Sequence, residues 1–489
     1  MSNEPWITFT GGATGTGNGA VNYTVAKNTD TARVGAISVG GQIVTITQAS
    51  SVVPILAVPS ELGDLGSAVI GFVSADFNRD GLTDYAVATA DGAISVFLAL
   101  SPGSFSTPVK YSFGASVPLI AADVNADGYP DLVFGVGVSL NNRDGTFAPP
   151  TYLQLSPSAP YYHGLTVGDF YQNGEIDIAA IGVGLFADNA TLNLFNNDGT
   201  GHFTAEPSLL LNNQAEEIIT TDINNDGYPD LVTQQQHLHS TGISVLLNQK
   251  NGSFVVQPEL SIDAVTLAAS DLNGDGYPDL VIYNTDTGMP NISVLLGNGD
   301  GTFGPLTTYT LPSGANGTPI IMDVDGDGKP DVVVPTDNTI SFLRNLGKGA
   351  LELREFDVTN SSPTTIAAAD LNDDGKLDIL ANAGPTQPTQ TAYWLYTNQT
   401  KQVCGFSVTP NNILLPIAGA TTEQLQVKAS KTCTWRAVSK SPWISIQSGG
   451  TGKGSGTVTV AITANSATTG RVATLTVAGL PLVITQPGN

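Results

Sequence analysis

The segment Asp271-Leu-Asn-Gly-Asp-Gly-Tyr-Pro-Asp279 is the most informative part of the sequence, because its pattern recurs in six other places in the chain. Positions 1, 3 and 5 carry Asp or Asn, position 6 is Gly and position 9 is Asp, except that the third copy has Tyr171 at position 3. The first residues of consecutive copies lie 46 to 53 residues apart. One supersecondary unit of about 50 residues therefore occurs seven times. The other copies begin at Asp76, Asp123, Asp169, Asp222, Asp323 and Asp370.

Short apolar runs surround every acidic segment. Around the second copy, Val117-Pro-Leu-Ile-Ala-Ala122 precedes the segment and Leu132-Val-Phe134 follows it. A third run, such as Ile292-Ser-Val-Leu-Leu296, is followed by a Gly turn that ends in Phe, such as Asp300-Gly-Thr-Phe303, and then by a fourth run. Four short strands per unit are typical of a propeller blade. Seven units fit a closed ring, whereas a linear solenoid, the alternative, would expose strand edges at its ends.

The start of the repeat region predicts how the ring closes. The run Val52-Val-Pro-Ile-Leu-Ala-Val58 matches the fourth strand of the other units, although it precedes the first acidic segment. The last unit has three strands, at residues 365–369, 377–381 and 391–396, and no clear fourth. We therefore expect the first strand to complete the last blade.

The spacing of the acidic loop suits a calcium ion. Side-chain oxygens at positions 1, 3 and 5, the backbone carbonyl at position 7 and a bidentate Asp at position 9 form an all-oxygen cage, and Gly at position 6 permits the turn. Six copies are intact, which predicts about six Ca²⁺ sites. The candidate ligands are Asp76, Asn78, Asp80, Leu82 and Asp84; Asp123, Asn125, Asp127, Tyr129 and Asp131; Asp222, Asn224, Asp226, Tyr228 and Asp230; Asp271, Asn273, Asp275, Tyr277 and Asp279; Asp323, Asp325, Asp327, Lys329 and Asp331; and Asp370, Asn372, Asp374, Lys376 and Asp378.

The charge distribution favours bound cations over the alternative of metal-free Asp/Asn turns. The chain has 43 acidic and 18 basic residues and a formal charge of −25, and 21 of its acids occupy loop positions 1, 3, 5 and 9. Clustered carboxylates repel one another unless a cation lies among them. In the third loop, Asp169–Asp177, Tyr171 and Asn173 replace two ligands, so we expect this site to be empty or weak.

The same composition limits the partners. A strongly negative protein repels nucleic acid and anionic lipid. No apolar run reaches the length of about 18 residues that a membrane span needs, so we expect no membrane insertion.

These acidic segments resemble FG-GAP (VCBS-type) repeats, the units of integrin-α-like seven-bladed propellers. The resemblance spans residues 52–400. It implies calcium on one face of the ring and ligand binding on the other.

The two ends of the chain resemble each other. Pro5-Trp-Ile and Pro442-Trp-Ile each precede a Gly-rich stretch and a strand-like run. Together with Cys433-Thr-Trp435, these steps make residues 404–489 similar to a BACON-type domain, a small Ig-like β-sandwich common in secreted bacterial proteins; residues 1–50 resemble its second half. We therefore expect an all-β chain, a seven-bladed β-propeller flanked by Ig-like β-sandwich modules.

Little in the sequence indicates catalysis, so we expect a binding protein rather than an enzyme. The loops away from the acidic segments contain candidate ligand-binding residues, namely Tyr161, Tyr162, His163, His237, His239 and Tyr283. Aromatic rings beside amides suit sugar stacking and hydroxyl recognition. His237 and His239 also have a spacing that could serve zinc, although a polar loop explains them better.

The expected function is adhesion or binding to glycans or to a surface protein. The alternatives are the non-catalytic part of a secreted polysaccharide-degrading enzyme and a structural spacer of a surface fibre. We expect an extracellular or cell-surface location. The first residues, Met-Ser-Asn-Glu-Pro-Trp, do not resemble a signal peptide, and we expect this to reflect a processed or partial sequence. Cys404 and Cys433, the only cysteines, should then form a disulfide.

Overall fold

The structure of the chain is a computed structural model. It describes residues 6–11, 20–26, 33–39, 42–48, 56, 60–114, 117–154, 161–183, 190–211, 215–237, 240–262, 264–284, 290–311, 313–315, 317–337, 339–357, 362–382, 392–400, 407–410, 412–415, 419–429, 434–439, 441–478 and 480–488. Within these ranges all regular structure is β-strand, which confirms the all-β class. None of these ranges contains a helix that could cross a membrane.

Two compact units make up the chain, one formed mainly by residues 56–399 and the other mainly by the two terminal segments. The N-terminal segment contains two antiparallel pairs. Their strands are β1 (Ile7–Gly11) with β2 (Asn22–Val25), and β3 (Arg33–Val39) with β4 (Gln42–Gln48).

In the described part of the central unit the strands form seven antiparallel sheets, each numbered by its place in the chain. Strand β5 (Ser60–Asp64) precedes them. Sheet 1 has β6 (Val69–Ala75), β7 (Asp84–Thr89), β8 (Ala93–Phe97) and β11 (Val109–Ser112), with the hairpin β9 (Ala99–Ser101) and β10 (Ser104–Phe105) inserted before β11; sheet 2 has β12 (Leu119–Ala122), β13 (Asp131–Phe134), β14 (Gly137–Ser139) and β15 (Thr151–Tyr152); sheet 3 has β16 (Tyr161–Gly168), β17 (Asp177–Val183), β18 (Ala190–Asn197), β19 (Phe203–Ala205) and β20 (Leu209–Leu210).

The remaining four sheets repeat this order of strands. Sheet 4 has β21 (Ala215–Thr221), β22 (Asp230–His237), β23 (Ser240–Asn248) and β24 (Phe254–Val256); sheet 5 has β25 (Thr266–Ser270), β26 (Asp279–Asn284), β27 (Asn291–Leu295) and β28 (Thr307–Thr310); sheet 6 has β29 (Ile320–Met322), β30 (Asp331–Thr336), β31 (Thr339–Gly347) and β32 (Ala350–Asp357); sheet 7 has β33 (Ile366–Ala369), β34 (Asp378–Asn382), β35 (Ala392–Tyr396) and β5.

Hydrophobic cores between successive sheets arrange them as a closed ring. The second strands β7, β26 and β30 are buried at every position, because each face of a strand packs against a different neighbour. One core joins each consecutive pair of sheets from 1 to 7. A seventh core joins sheet 7 to sheet 1, where Tyr85 and Tyr393 bring their hydroxyl oxygens within 3.3 Å.

A segment from before sheet 1 completes sheet 7, but the predicted bounds of that segment were wrong. Strand β5, Ser60–Asp64, pairs with β35, and Leu56 forms only an isolated bridge to Asn398. The other residues of the predicted run Val52–Val58 lie outside the described residues. The apolar character of that run misled the prediction, because β5 is an edge strand with exposed residues and carries Gly63 and charged Glu61.

Five buried asparagines, here called the latch asparagines, tie neighbouring sheets together by hydrogen bonds. Each lies close to the end of the third strand of its sheet or just after it, and its side-chain amide donates to the carbonyl of loop position 2 in the preceding sheet, at 2.7–2.9 Å. In four of them the same amide also donates to its own loop at position 8. The latch asparagines are Asn141, Asn197, Asn248, Asn345 and Asn398.

Sheets 5 and 1 lack a latch asparagine for steric and topological reasons. Sheet 5 has Gly297 at this position, where a Cβ would lie 2.3 Å from the carbonyl oxygen of Pro278. Sheet 1 has Ala99, and the backbone N–H of Gly103 in the inserted hairpin instead donates to the Leu371 carbonyl of sheet 7, at 2.9 Å. At the junction between sheets 7 and 1 the position-2 carbonyl therefore accepts a hydrogen bond from a backbone N–H and not from an asparagine side chain.

The C-terminal segment folds as two sheets around one core. One sheet contains β36 (Ser407–Thr409), β38 (Thr421–Lys428), β42 (Gly456–Ile462) and β40 (Ile444–Ser448); the other contains β37 (Asn412–Leu414), β44 (Leu480–Gln486), β43 (Arg471–Val477), β39 (Thr434–Ser439) and β41 (Thr451–Lys453). Trp435 is buried in this core and donates from Nε1 to the carbonyl of Gly454. Trp443 packs at the edge of the core beneath the guanidinium of Arg471.

The latch asparagines predict a measurable contribution to stability. Asn248→Ala should lower the free energy of unfolding by about 2–3 kcal/mol, because the carbonyls of Phe170 and Pro229, one in a buried and one in a partly buried hydrogen bond, lose their donor. Urea unfolding measures the change. Gln249→Ala, at an exposed neighbouring position, is the control and should change stability by less than about 0.5 kcal/mol. Equal effects of the two substitutions would contradict a role for the latch.

Candidate functional site

The seven acidic loops share one backbone conformation. Position 4 has a positive φ in every loop, between 52° and 80°, whatever its side chain, and Gly at position 6 has φ between 83° and 94°. Arg79 and Gln172 show that non-glycine residues accept this conformation at position 4. Each loop joins the first strand of its sheet to the second, so all seven lie at the same end of the innermost strands.

Hydrogen bonds within each loop turn the side-chain oxygens inward. In the fourth loop, Asp222 at position 1 accepts from the backbone N–H groups of Asp226 and Gly227, at 3.1 and 2.8 Å. Asn224 at position 3 also accepts from the N–H of Asp226, and Asp226 accepts from the N–H of Tyr228. The same pattern recurs in the first, second, fifth and seventh loops. Local backbone donors therefore pre-organise the oxygens at positions 1, 3 and 5.

The Asp at position 9 is buried in all seven loops and holds each sheet together. In sheet 2, one carboxylate oxygen of Asp131 accepts from the N–H of Val124 at position 2, and the other accepts from the N–H of Asn141 after the third strand, at 3.0 and 2.7 Å. Every other sheet has the equivalent pair of bonds. A carboxylate has about four acceptor sites, so these two backbone donors do not use all the acceptor sites of Asp131.

Burial makes the position-9 carboxylates costly to ionise. Loss of solvent raises the pKa of Asp84, Asp131, Asp177, Asp230 and Asp378 to about 6, although two backbone N–H groups stabilise each anion. Carboxylates at loop positions 1 or 5 add to the effect by repulsion. A cation in the loop would offset both the cost of burial and the repulsion between carboxylates.

In several loops the carboxylate at position 5 is in contact with a side-chain hydrogen-bond donor. The outer carboxylate oxygen of Asp127 lies 3.0 Å from Arg143 Nε, and that of Asp226 lies 3.3 Å from Lys250 Nζ. In the first and fifth loops the position-3 amide donates to this oxygen instead. Each of these loops thus presents a negative site that attracts hydrogen-bond donors and positive charge.

The sixth loop has the densest acid cluster in the described part of the chain. Asp323, Asp325 and Asp327 each offer a carboxylate oxygen, and these oxygens lie within 4.8 Å of one another. Calcium–oxygen distances of 2.3–2.6 Å place the ligands of one ion at such separations. The donor set, all oxygen and anionic, fits a calcium ion.

The third loop has the same backbone conformation as the other loops but lacks their candidate side-chain ligands at positions 3 and 5. Gln172 and Gly174 have the usual positive φ, and Asp169 accepts from the N–H groups of Asn173 and Gly174 at 2.9 Å. Tyr171 at position 3 places its ring against Gly252 of sheet 4, where a Cβ would lie 2.0 Å from the ring. The aromatic ring thus joins the core between sheets 3 and 4 instead of supplying an oxygen.

The predicted ligand-binding residues do not form one exposed surface. The prediction that Tyr283 lies in an exposed loop was wrong: it lies in β26, and its ring is buried between sheets 5 and 6. Tyr162 lies in β16, packs between sheets 2 and 3, and has a buried hydroxyl whose pKa is raised by burial. Both strands extend further than the apolar runs indicated. His163 is exposed and lines a cavity.

The other predicted sites are only partly covered by the structure. Tyr161 begins β16 and His237 ends β22, but their side chains, and the whole of His239, lie outside the described residues. Cys404 and Cys433, the predicted disulfide, also lie outside them.

Family models match three parts of the chain. The FG-GAP-like repeat matches residues 76–134, 271–322 and 323–381. A viral BACON domain matches residues 405–481, and a BACON model described as a putative N-terminal binding domain matches residues 1–49. No curated protein matches the chain by sequence.

Solved structures similar to this chain include β-propellers. A chain from the complex of BBS1N with ARL6DN, soaked with mercury, is 10% identical, with a TM-score of 0.50, and the match covers 72% of this chain and 99% of that one. The Dos1 propeller is 13% identical, with a TM-score of 0.42 and coverages of 68% and 78%. An Agrocybe aegerita lectin that recognises non-reducing terminal N-acetylglucosamine is 19% identical, with a TM-score of 0.43 and coverages of 60% and 81%.

The buried position-9 carboxylates predict an effect that does not depend on metal. In excess chelator, Asp131→Asn should lower the free energy of unfolding by about 2–4 kcal/mol, because the new amide group faces a backbone N–H instead of accepting from it. Denaturant unfolding measures the loss. Asp144→Asn, an exposed acid in the same sheet that retains its acceptor oxygen, should have little effect. A similar small effect at Asp131 would contradict this account.

Proposed function

Because the chain is an FG-GAP β-propeller with BACON domains, we propose that it is a calcium-stabilised, non-catalytic binding module of the cell surface or extracellular space. Its ligands would be glycans or a surface protein. The observation that carries the proposal is the common geometry of the acidic loops, six of which have oxygen side chains at positions 1, 3 and 5. The match of residues 1–49 to a model described as a putative binding domain supports the binding role, and a BACON domain also matches residues 405–481.

Calcium would hold the loops from positions 1, 3, 5, 7 and 9. When bound, it supplies the positive charge that offsets clustered, partly buried carboxylates. The position-9 aspartate would couple the ion to the sheet, since the same carboxylate accepts from two backbone N–H groups. Each ion would therefore stabilise the junction between the first, second and third strands of its sheet.

The face opposite the loops is left for the partner. Calcium loops lie at one end of the innermost strands, and the connections between second and third strands lie at the other. A glycan array and capture of extracellular matrix proteins would identify the ligand class. Absence of any glycan or surface-protein ligand would refute the binding role and favour a structural spacer.

Removal of calcium should destabilise the protein. When free Ca²⁺ is at 100 times the Kd of a site, binding there contributes about 2.7 kcal/mol to the free energy of unfolding, so excess chelator should lower the melting temperature markedly. Metal analysis of protein dialysed without chelator should find about six Ca²⁺. Asp275→Ala and Asp327→Ala should each lose one ion. Asp300→Ala, an exposed acid outside the loops, is the control and should lose none. Fewer than about three ions per chain would contradict the proposal.

The third loop offers a gain-of-function test. Tyr171→Asn combined with Asn173→Asp supplies the two missing ligands to a backbone that already has the loop conformation. The double variant should bind one more Ca²⁺ than the parent protein, measured by metal analysis. Tyr171→Phe removes no ring and adds no ligand, so it should leave the count unchanged. A folded double variant with an unchanged count would show that side-chain ligands do not decide occupancy.

A further inference from the structure

A cavity of about 750 Å³ lies where the innermost strands of the ring begin. Residues from all seven sheets line it, including Phe72, Leu119, Thr166, Ile218 and Thr365. Since the acidic loops follow the ends of these same strands, the cavity opens at the opposite end of the ring from them. This cavity is large enough for a monosaccharide or a similarly small organic molecule.

Three innermost strands carry a β-bulge at the level of this cavity. The registers of β6, β16 and β21 shift between Val69 and Gly71, between Tyr162 and Gly164, and between Ala215 and Glu217. The extra residues, Ile70, His163 and Glu216, all line the cavity. Bulges re-aim side chains and are enriched beside functional sites. Because all three bulges contribute residues to the same cavity, we interpret the cavity as a binding site and not as a packing defect.

Glu217 places a carboxylate in the cavity wall. One of its oxygens accepts from the backbone N–H of Leu267 at 3.0 Å, and the other lies 3.5 Å from the hydroxyl of Thr318. Burial raises the pKa of Glu217 to about 7. Glu216 is adjacent, and neither Lys nor Arg occurs among the described residues that line the cavity. The wall therefore favours a positively charged guest and disfavours an anionic one.

Hydroxyl groups complete the polar part of the wall. Thr166, Thr318, Thr364 and Thr365 line the cavity, and each hydroxyl both donates and accepts hydrogen bonds. Apolar side chains such as Val117 and Ile218 also line it. Such a mixture of a few polar groups on an apolar wall is typical of small-molecule sites.

We propose that this cavity binds a small hydroxylated organic cation, of which an amino sugar is the simplest example. Its ammonium group would lie against Glu216 and Glu217, and its hydroxyls would contact the threonines. The inference rests on the proposed binding role of the propeller and specifies a ligand class and a site for it. It is independent of the acidic loops, because no loop residue lines the cavity.

Titration of the calcium-loaded full chain with D-glucosamine at pH 7, followed by NMR or calorimetry, tests the proposal. We expect a Kd on the order of 1 mM, and binding of D-glucose and N-acetylglucosamine at least about tenfold weaker, because neither carries a positive charge. Glu217→Gln and Glu216→Gln should each weaken glucosamine binding by about tenfold. Glu259→Gln, an exposed acid outside the cavity, is the matched control and should bind as the parent does.

Three results would overturn the proposal. These are no glucosamine binding to the parent protein, equal binding of the neutral sugars, and unchanged binding by both cavity variants. If Glu217→Gln fails to fold, as circular dichroism would show, Glu216→Gln at the half-buried bulge decides the matter. A glycan or protein ligand that glucosamine does not displace would leave the general binding role intact while refuting the cavity as its site. Calcium content, measured separately, reports only on the loops.

Discussion

The rest of the propeller depends on the two backbone hydrogen bonds that the buried aspartate at position 9 of each loop accepts. Its two oxygens accept from the N–H at loop position 2 and from an N–H near the end of the third strand or just after it, so one carboxylate joins three strands of its sheet. In five sheets the second donor is the backbone of a latch asparagine, whose side chain reaches the preceding sheet. A local acidic motif is thereby connected to the packing of the whole ring.

This arrangement separates two tasks at opposite ends of the same strands. At the ends of the innermost strands, backbone donors order the side-chain oxygens of the acidic loops. At the beginnings, bulges and small residues shape a cavity. Gly164 shows how close this packing is, since a Cβ there would lie 2.7 Å from the carbonyl oxygen of Glu216 in the next sheet. The loops can therefore stabilise the ring without occupying the surface that would meet a ligand.

Sequence patterns predicted the strands well where both faces of a strand are covered. Runs such as Leu132-Val-Phe134 are apolar throughout, because each face meets a neighbouring sheet. The predictions failed at the ends of strands and at the edge. Tyr283 continues β26 into the core, and the closing strand β5 is too polar and too exposed to be recognised by apolar character.

The acidic loops were determined by the sequence alone, because their hydrogen bonds join residues two to seven positions apart and Gly at position 6 permits the turn. The latch asparagines follow position 9 at irregular distances, and their carbonyl partners lie 64 to 78 residues away. The cavity likewise draws on all seven sheets. Only the tertiary structure decides these features: the packing of neighbouring sheets brings Asn248 to Phe170, and the arrangement of the sheets in a ring brings Glu217 to Thr318.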